Sequence, residues 1–296
     1  MWQIDMCRAF VKGLLPFQQA LRTLKRRLVP YAGCLDNSRF ALKQGLHQIE
    51  LLRSSGLNPT GNVLEIGVGW FPIVPLLFHI AGARRVALAD TERLIDRHTI
   101  AEAKELVMEH SMTIGRELDI SAEVIADRVE SFEFDYYVPW DPKKIPDGAV
   151  DLIISRAVFE HVHPERLEDL VRECVRVLRF GGGMCHVIDN SDHWEHRDKN
   201  ISRLNFLRYE DGWFWRLAGA NSQHYQNRLR HSDYIAMFDR CGLELILAEG
   251  EPDDQALRDL STLQLAKSFC GRDPHDLAIL ISTFVLRRPG AAIRLL

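Results

Sequence analysis

The stretch from Asn62 to Phe71, N-V-L-E-I-G-V-G-W-F, constrains this chain most. Val63, Leu64 and Ile66 make a short apolar run of strand type, and Gly67 and Gly69 punctuate it. An amphipathic segment opens at Pro72, a residue favoured at the first position of a helix. Strand, glycine turn and helix form the first unit of a doubly wound α/β domain, in which a ligand lies against the turn at the strands' carboxyl ends. A dinucleotide fingerprint needs a third glycine three positions after Gly69, where this chain has Pro72. Proline has no N–H to offer a pyrophosphate, and Glu65 at the strand end would repel one. An acid beside a two-glycine turn suits a cationic, hydroxyl-rich nucleoside, which favours S-adenosylmethionine (SAM) over NAD.

With 296 residues, 46% of them hydrophobic, the chain can bury the core of one α/β domain with additions. A formal charge of −4 argues against a nucleic-acid partner. Cys7, Cys34, Cys174, Cys185, Cys241 and Cys270 show no C-x-x-C spacing and read as reduced residues of a cytoplasmic protein. No uninterrupted apolar run approaches a membrane span, and Lys12 and Pro16 break up any signal-peptide core. Residues 4–29 instead repeat Ile4, Phe10, Val11, Leu14, Leu15, Phe17, Leu21, Leu24 and Leu28 at roughly helical spacing, among Arg8, Lys12, Arg22, Lys25, Arg26 and Arg27. Such a basic amphipathic helix either lies peripherally on an anionic membrane face or packs on the domain with its basic side solvated.

A second helix is expected over Ser38–Ser54, and a third after Pro72 with Ile73, Val74, Leu76, Leu77 and Ile80 inward. Val86–Ala89 reads as strand two, closed by Asp90, which is placed to accept hydrogen bonds from ribose hydroxyls; capping a helix over 91–110 is its alternative role. Segment 121–127 reads as strand three, ending at Asp127. Val150–Ile154 is a buried strand, after which Ser155, Arg156 and Ala157 cross the sheet's carboxyl edge, with Glu160, His161 and His163 at the entry of the next helix. Gly181, Gly182 and Gly183 turn into strand five, Met184–Ile188. A helix at about His231–Cys241 and strands at Leu243–Ala248 and Leu277–Leu286 complete the pattern.

Together the run E-I-G-V-G, the strand-two Asp90, the stretch I-P-D-G-A-V-D-L-I-I-S-R-A-V-F-E-H-V and the strand G-G-G-M-C-H-V-I-D resemble class I SAM-dependent methyltransferases over roughly residues 60–250. The resemblance implies a doubly wound, seven-stranded, mostly parallel sheet with N-terminal helices and an inserted lid. Its parts are a helical extension (1–58), a SAM-binding core (59–190), a lid insert (191–230) and the rest of the core (231–296). It implies SAM as cofactor, with Glu65, Gly67, Gly69 and Trp70 around the methionine end and Asp90 with Thr91 at the ribose. Asp127 and Arg128 would then lie beside the adenine, and Ser155, Arg156 and Ala157 would floor the pocket. Trp70 and Phe71 stand where that family has a small residue. The runs G-W-F-P and N-R-L-R-H-S-D-Y are similar to bacterial members acting in polysaccharide and small-molecule biosynthesis, which implies a small-molecule or glycan acceptor.

Methyl transfer from a sulfonium is a direct displacement, so positioning dominates, and an oxygen or protonated-amine acceptor also needs a base. Lid 191–230 supplies Asp192, His193, Trp194, Glu195, His196, Arg197 and Asp198, then Tyr209, then Trp213, Phe214 and Trp215, then Asn227, Arg228 and Arg230. His193, just past strand five, is the first choice as base, with His161 and His196 next. Trp194, Tyr209, Arg228 and Arg230 are expected to contact the acceptor. Arg228 either clamps an anionic group or pairs with Glu195, Asp198 or Asp211 to hold the lid. The run H-W-E-H lacks an evident distant partner, so no metal is expected. A non-catalytic SAM-fold module using the basic helix and an NAD(P)-dependent oxidoreductase are the alternatives.

Overall fold

The computed structural model describes residues 2–13, 34–212 and 225–290. Seven strands form one sheet: β1 (Asn62–Ile66), β2 (Arg85–Ala89), β3 (Asp135–Tyr137), β4 (Val150–Arg156), β5 (Leu178–Asp189), β6 (Glu244–Glu249) and β7 (Ile281–Arg287). Their order is β3-β2-β1-β4-β5-β7-β6. Neighbours from β3 to β5 pair parallel, while β7 pairs antiparallel with both β5 and β6. The doubly wound, mostly parallel sheet is therefore present.

Side-chain alternation along the strands divides the core into two layers. Val63, Leu152 and Ile154 face one layer, with helices Cys34–Ser54, Ile73–Ile80, Arg97–Glu109, Ser111–Leu118 and Ala122–Glu130. Leu64, Ile66 and Ile153 face the other, with helices Pro164–Val177 and His231–Arg240. The chain leaves β1 toward β2 on one face and β4 toward β5 on the opposite face. A crevice accordingly opens at the carboxyl ends of β1 and β4, where the strand order reverses.

Segment 121–127 is not a strand. Residues Ala122–Glu130 form a helix whose N-cap, the Ser121 hydroxyl, accepts the Val124 N–H at 3.4 Å. Ile125 and Val129, four residues apart, are the buried pair, a helical spacing. Strand three is the three-residue β3 instead. The helix expected over 91–110 starts at Arg97, capped by Asp96, whose carboxylate accepts from His98 and Thr99; Asp90 caps nothing there. The glycines at 181–183 lie inside β5 rather than in a turn before it, and the pairing with β4 shifts register between Val150 and Leu152 to accommodate them. Residues 277–278 end a short helix, Pro274–Ala278, rather than opening β7.

A third cluster lies outside the sheet. Trp2 and Met6, from helix Trp2–Gly13, pack with Trp194, Leu204, Phe206, Leu207, Tyr225 and Phe269. The described part of the N-terminal helix thus covers the segment after β5, with Ile4 and Val11 exposed; 14–29 lie outside the described residues. Among the described residues no helix is long and apolar enough to cross a membrane.

Candidate functional site

The glycine turn after β1 is held open by backbone geometry. Gly67 and Gly69 have φ of +70° and +69°, a region that favours glycine. A Cβ on Gly67 would also fall 2.4 Å from Val158 Cγ2. The Gly67 N–H donates to Ala89 O at 2.8 Å, tying the turn to the tip of β2. Asp90 stands at that tip. One of its carboxylate oxygens accepts the Gly69 N–H at 3.2 Å, and the other accepts the Thr91 N–H at 2.7 Å. Its own N–H donates to Tyr137 O, and its carbonyl accepts from Trp140 N, so β3 and the residues after it brace the same carboxylate. Partial burial raises the Asp90 pKa, opposed by the backbone N–H groups of Gly69 and Thr91.

Glu65 is buried, and its Oε2 has no hydrogen-bond partner among the described residues. Burial pushes its pKa up to about 8, against the pull of the Arg156 guanidinium. Arg156, at the end of β4, donates to Gln44 Oε1 at 3.3 Å and feels Glu65, Glu160 and Asp189 together. Ala157 follows with a φ of +53°. Trp70 sits half-buried after Gly69.

Three of the expected positions differ. Asp127 and Arg128 ride on helix Ala122–Glu130, not at a strand end, and Arg128 donates to Ile80 O in the outer layer. Val138, Pro139 and Trp140 occupy the carboxyl end of the strand instead. The Ser155 hydroxyl is committed to His186 Nδ1 at 2.8 Å within the sheet, so any flooring of the crevice falls to its backbone and to Arg156 and Ala157.

Beyond β4 and β5 a second group of polar residues meets. The 3-10 turn Phe159–His161 carries Glu160 and His161, and the segment after β5 carries His193 and His196. The His161 and His193 rings lie 5.0 Å apart, and His193 stacks on His196 at 5.4 Å. His193 Nε2 is 3.4 Å from Asp189 Oδ2. That contact holds the Asp189 carboxyl down at about 2 and raises His193 against its burial. His161 Nδ1 bonds the Tyr225 carbonyl at 2.7 Å and so carries the proton there. Burial lowers the His161 pKa to about 4 and raises that of Glu160 to about 8.

Gln226 and Asn227 clamp these loops together. Gln226 accepts the His193 N–H at 2.9 Å and donates to Ser191 O at 2.5 Å. The Asn227 N–H donates to Glu160 O and its side-chain amide to Phe159 O, each at 2.7 Å, while its Oδ1 accepts the Leu229 N–H and the Tyr234 hydroxyl. Sequence reasoning had no signal for Gln226, because a side-chain amide between distant loops leaves no periodic trace.

The four expected acceptor contacts are engaged elsewhere. Trp194 is buried in the third cluster, and Tyr209 packs its ring on Trp2 at 5.8 Å. Arg228 is 4% exposed and donates to Phe206 O, Tyr209 O and Asp211, so its guanidinium is bonded within the segment after β5 and pairs with Asp211. Arg230 is fully buried and donates to the carbonyls of Asn190, Leu277 and Ile279, each at 2.8 Å. The terminal nitrogens of both guanidinium groups meet carbonyls at loop ends that need donors, and Arg228 also meets the Asp211 carboxylate. Trp213, Phe214 and Trp215 lie outside the described residues.

Residues 107–185, from the helix after Asp90 into β5, match a family model described as a methyltransferase domain. Over that stretch the chain is similar to a methyltransferase domain, set on a seven-stranded sheet of the class I methyltransferase type. No match was found among curated proteins. Among solved structures, an S-adenosylmethionine dependent methyltransferase from Mesorhizobium loti is similar at 14% identity, covering 81% of this chain and 96% of that one, with a TM-score of 0.46. A proposed methyltransferase from Bacillus halodurans is similar at 15% identity, with coverages of 82% and 98% and a TM-score of 0.46. Two features fit a SAM site: the orphaned Glu65 Oε2 offers a carboxylate for an ammonium, and at Gly69, where a Cβ would have no neighbour within 4 Å, the turn leaves room for a close backbone approach.

Proposed function

We propose that this protein transfers the methyl group of SAM to an oxygen or nitrogen atom of a small-molecule or sugar-containing acceptor. One observation carries the reading. The glycine turn with Asp90 and the Glu160–His161–His193 group stand at the ends of adjacent parallel strands, on either side of Arg156. Glu65 and the turn would hold the methionine end, Asp90 the ribose hydroxyls, and Arg156 a carboxylate. Bound SAM supplies an electrophilic methyl on a sulfonium. The residues past β4 and β5 then orient the acceptor within about 3–3.5 Å of it and receive its proton. The lid, held by Arg228 and Arg230, excludes water from that end.

Asp90 is expected to contribute two charge-assisted hydrogen bonds, so Asp90→Ala should weaken SAM binding by about 1.5–3 kcal/mol in calorimetry on a folded variant. His193→Ala and His161→Ala should keep SAM affinity near normal while methyl transfer from labelled SAM falls by about 10²–10⁴. Unchanged SAM affinity in Asp90→Ala would sink the ribose assignment, and unchanged turnover in both histidine variants would move the acceptor end elsewhere.

A further inference from the structure

The run H-W-E-H shows no distant partner in the sequence, but the fold supplies one. Glu160 and His161 come from the turn after β4 and His193 from the segment after β5, and one ligand atom from each lies within 4.8 Å of the other two. We propose that Glu160, His161 and His193 form a binding site for one divalent transition-metal ion. Glu160 is 2% exposed; its Oε1 accepts the Asp189 N–H at 3.3 Å, and its Oε2 has no partner among the described residues. A buried carboxylate oxygen left in this state is costly unless a cation or donor meets it. His161 Nδ1 is committed to the Tyr225 carbonyl at 2.7 Å, which leaves the Nε2 lone pair for a cation. That is the second-sphere arrangement that fixes tautomer and ring orientation in metal-ligating histidines. Asp189 Oδ2, 3.4 Å from His193 Nε2, stands beside the group as a further carboxylate. Gln226 and Asn227 hold the two loops in place, so the three ligands do not depend on one flexible segment.

Two imidazoles and one carboxylate suit zinc, iron, cobalt or nickel better than the oxygen-seeking calcium and magnesium. Three protein ligands leave a coordination position open, the pattern of metal sites that meet a substrate rather than of purely structural ones. Resting on the reaction proposed above, the ion would polarise the acceptor atom and acidify its O–H or N–H before transfer. The competing arrangement is a closed polar cluster in which Glu160 keeps a proton and shares it with the histidines.

Cobalt(II) titration of the chelator-stripped full chain distinguishes the two. The site predicts uptake of one cobalt per chain with visible d–d absorption, displaced by zinc. Glu160→Gln and His193→Ala should each weaken uptake at least about tenfold, the scale at which loss of even an outer-sphere partner is felt. His47→Ala, which alters a surface histidine beside Glu50 and Glu249, should leave it unchanged. Absence of stoichiometric uptake by the native chain overturns the site even if the variants fail to fold. Undiminished uptake by folded Glu160→Gln and His193→Ala overturns it too, by placing the metal elsewhere. Cobalt uptake needs neither SAM nor acceptor, so a failure of this site and a failure of the reaction are read separately.

Discussion

Glu65 shows how much one residue's surroundings decide. Its place at the strand end was legible, because Val63, Leu64 and Ile66 define the strand around it. Its protonation was not, because burial and the Arg156 charge come from other elements. In the folded chain Glu65 takes up its proton at about 8, against an ordinary 4.5. The folded state therefore binds the extra proton between those values. The stability linked to it is full below about pH 4.5 and is lost as pH rises through 8. Glu160 acts in the same sense, whereas His161 and His186, lowered to about 4 and about 3, act below pH 6.5 and with opposite sign. Between pH 6.5 and 8 the melting temperature of the ligand-free protein should fall, and Glu65→Gln should flatten part of that fall. An unchanged slope in Glu65→Gln would show that the carboxyl is already ionised at neutral pH. Arg228 and Arg230 teach the converse lesson. Sequence shows their charge, but not the carbonyls of Phe206, Asn190, Leu277 and Ile279 that consume it.

At the scale of elements, strands flanking the crevice were legible because buried parallel strands are short, continuous apolar runs. Strand β3 was not. Three residues, Asp135, Tyr136 and Tyr137, leave no period to detect, and the apolar residues of 122–130 drew the strand assignment to a helix. The signal that separates them is Ser121 followed by Ile125 and Val129: a cap, then an i, i+4 pair. Displacing that strand also displaced Asp127 and Arg128 from the adenine end. Asp90 and Asp96 make a similar pair of choices, since either acid fits an N-cap by type. In the structure Asp96 forms a reciprocal capping box with Thr99, and Asp90 is left for the glycine turn. Asp96→Ala should therefore cost about 0.5–2 kcal/mol in denaturant unfolding, as cap losses do. SAM affinity should stay unchanged, because the cap does not touch the turn. A loss of SAM binding with intact stability would mean that the two acids have exchanged roles.

Across the whole molecule, two hydrophobic layers enclose the sheet, and a third cluster is built by residues far apart in sequence. Trp2 and Met6 lie at one end of the chain and Leu277 and Ala278 near the other, with Trp194, Phe206 and Tyr225 between them. Sequence reasoning expected a basic helix at the amino end and a lid after strand five, but amphipathicity says only that a face must be covered, not by what. The Trp2 N–H donates to Asp198 at 3.2 Å, and the Trp2 ring meets Tyr209, so this helix is fastened to the segment after β5 rather than to the sheet. Full burial of a tryptophan is worth about 3–5 kcal/mol when truncated to alanine, but Trp2 packs in a cluster outside the two sheet layers, so the loss should stay local. Trp2→Ala is expected to speed hydrogen exchange of the amides in 194–209 while those of β1, β4 and β5 keep their protection. SAM affinity should hold, because the glycine turn and Asp90 belong to the two sheet layers, whereas acceptor KM should rise as the lid loosens. Uniform deprotection of the sheet in Trp2→Ala would instead make the third cluster part of the global folding unit. The lid could then not move separately from the cofactor end.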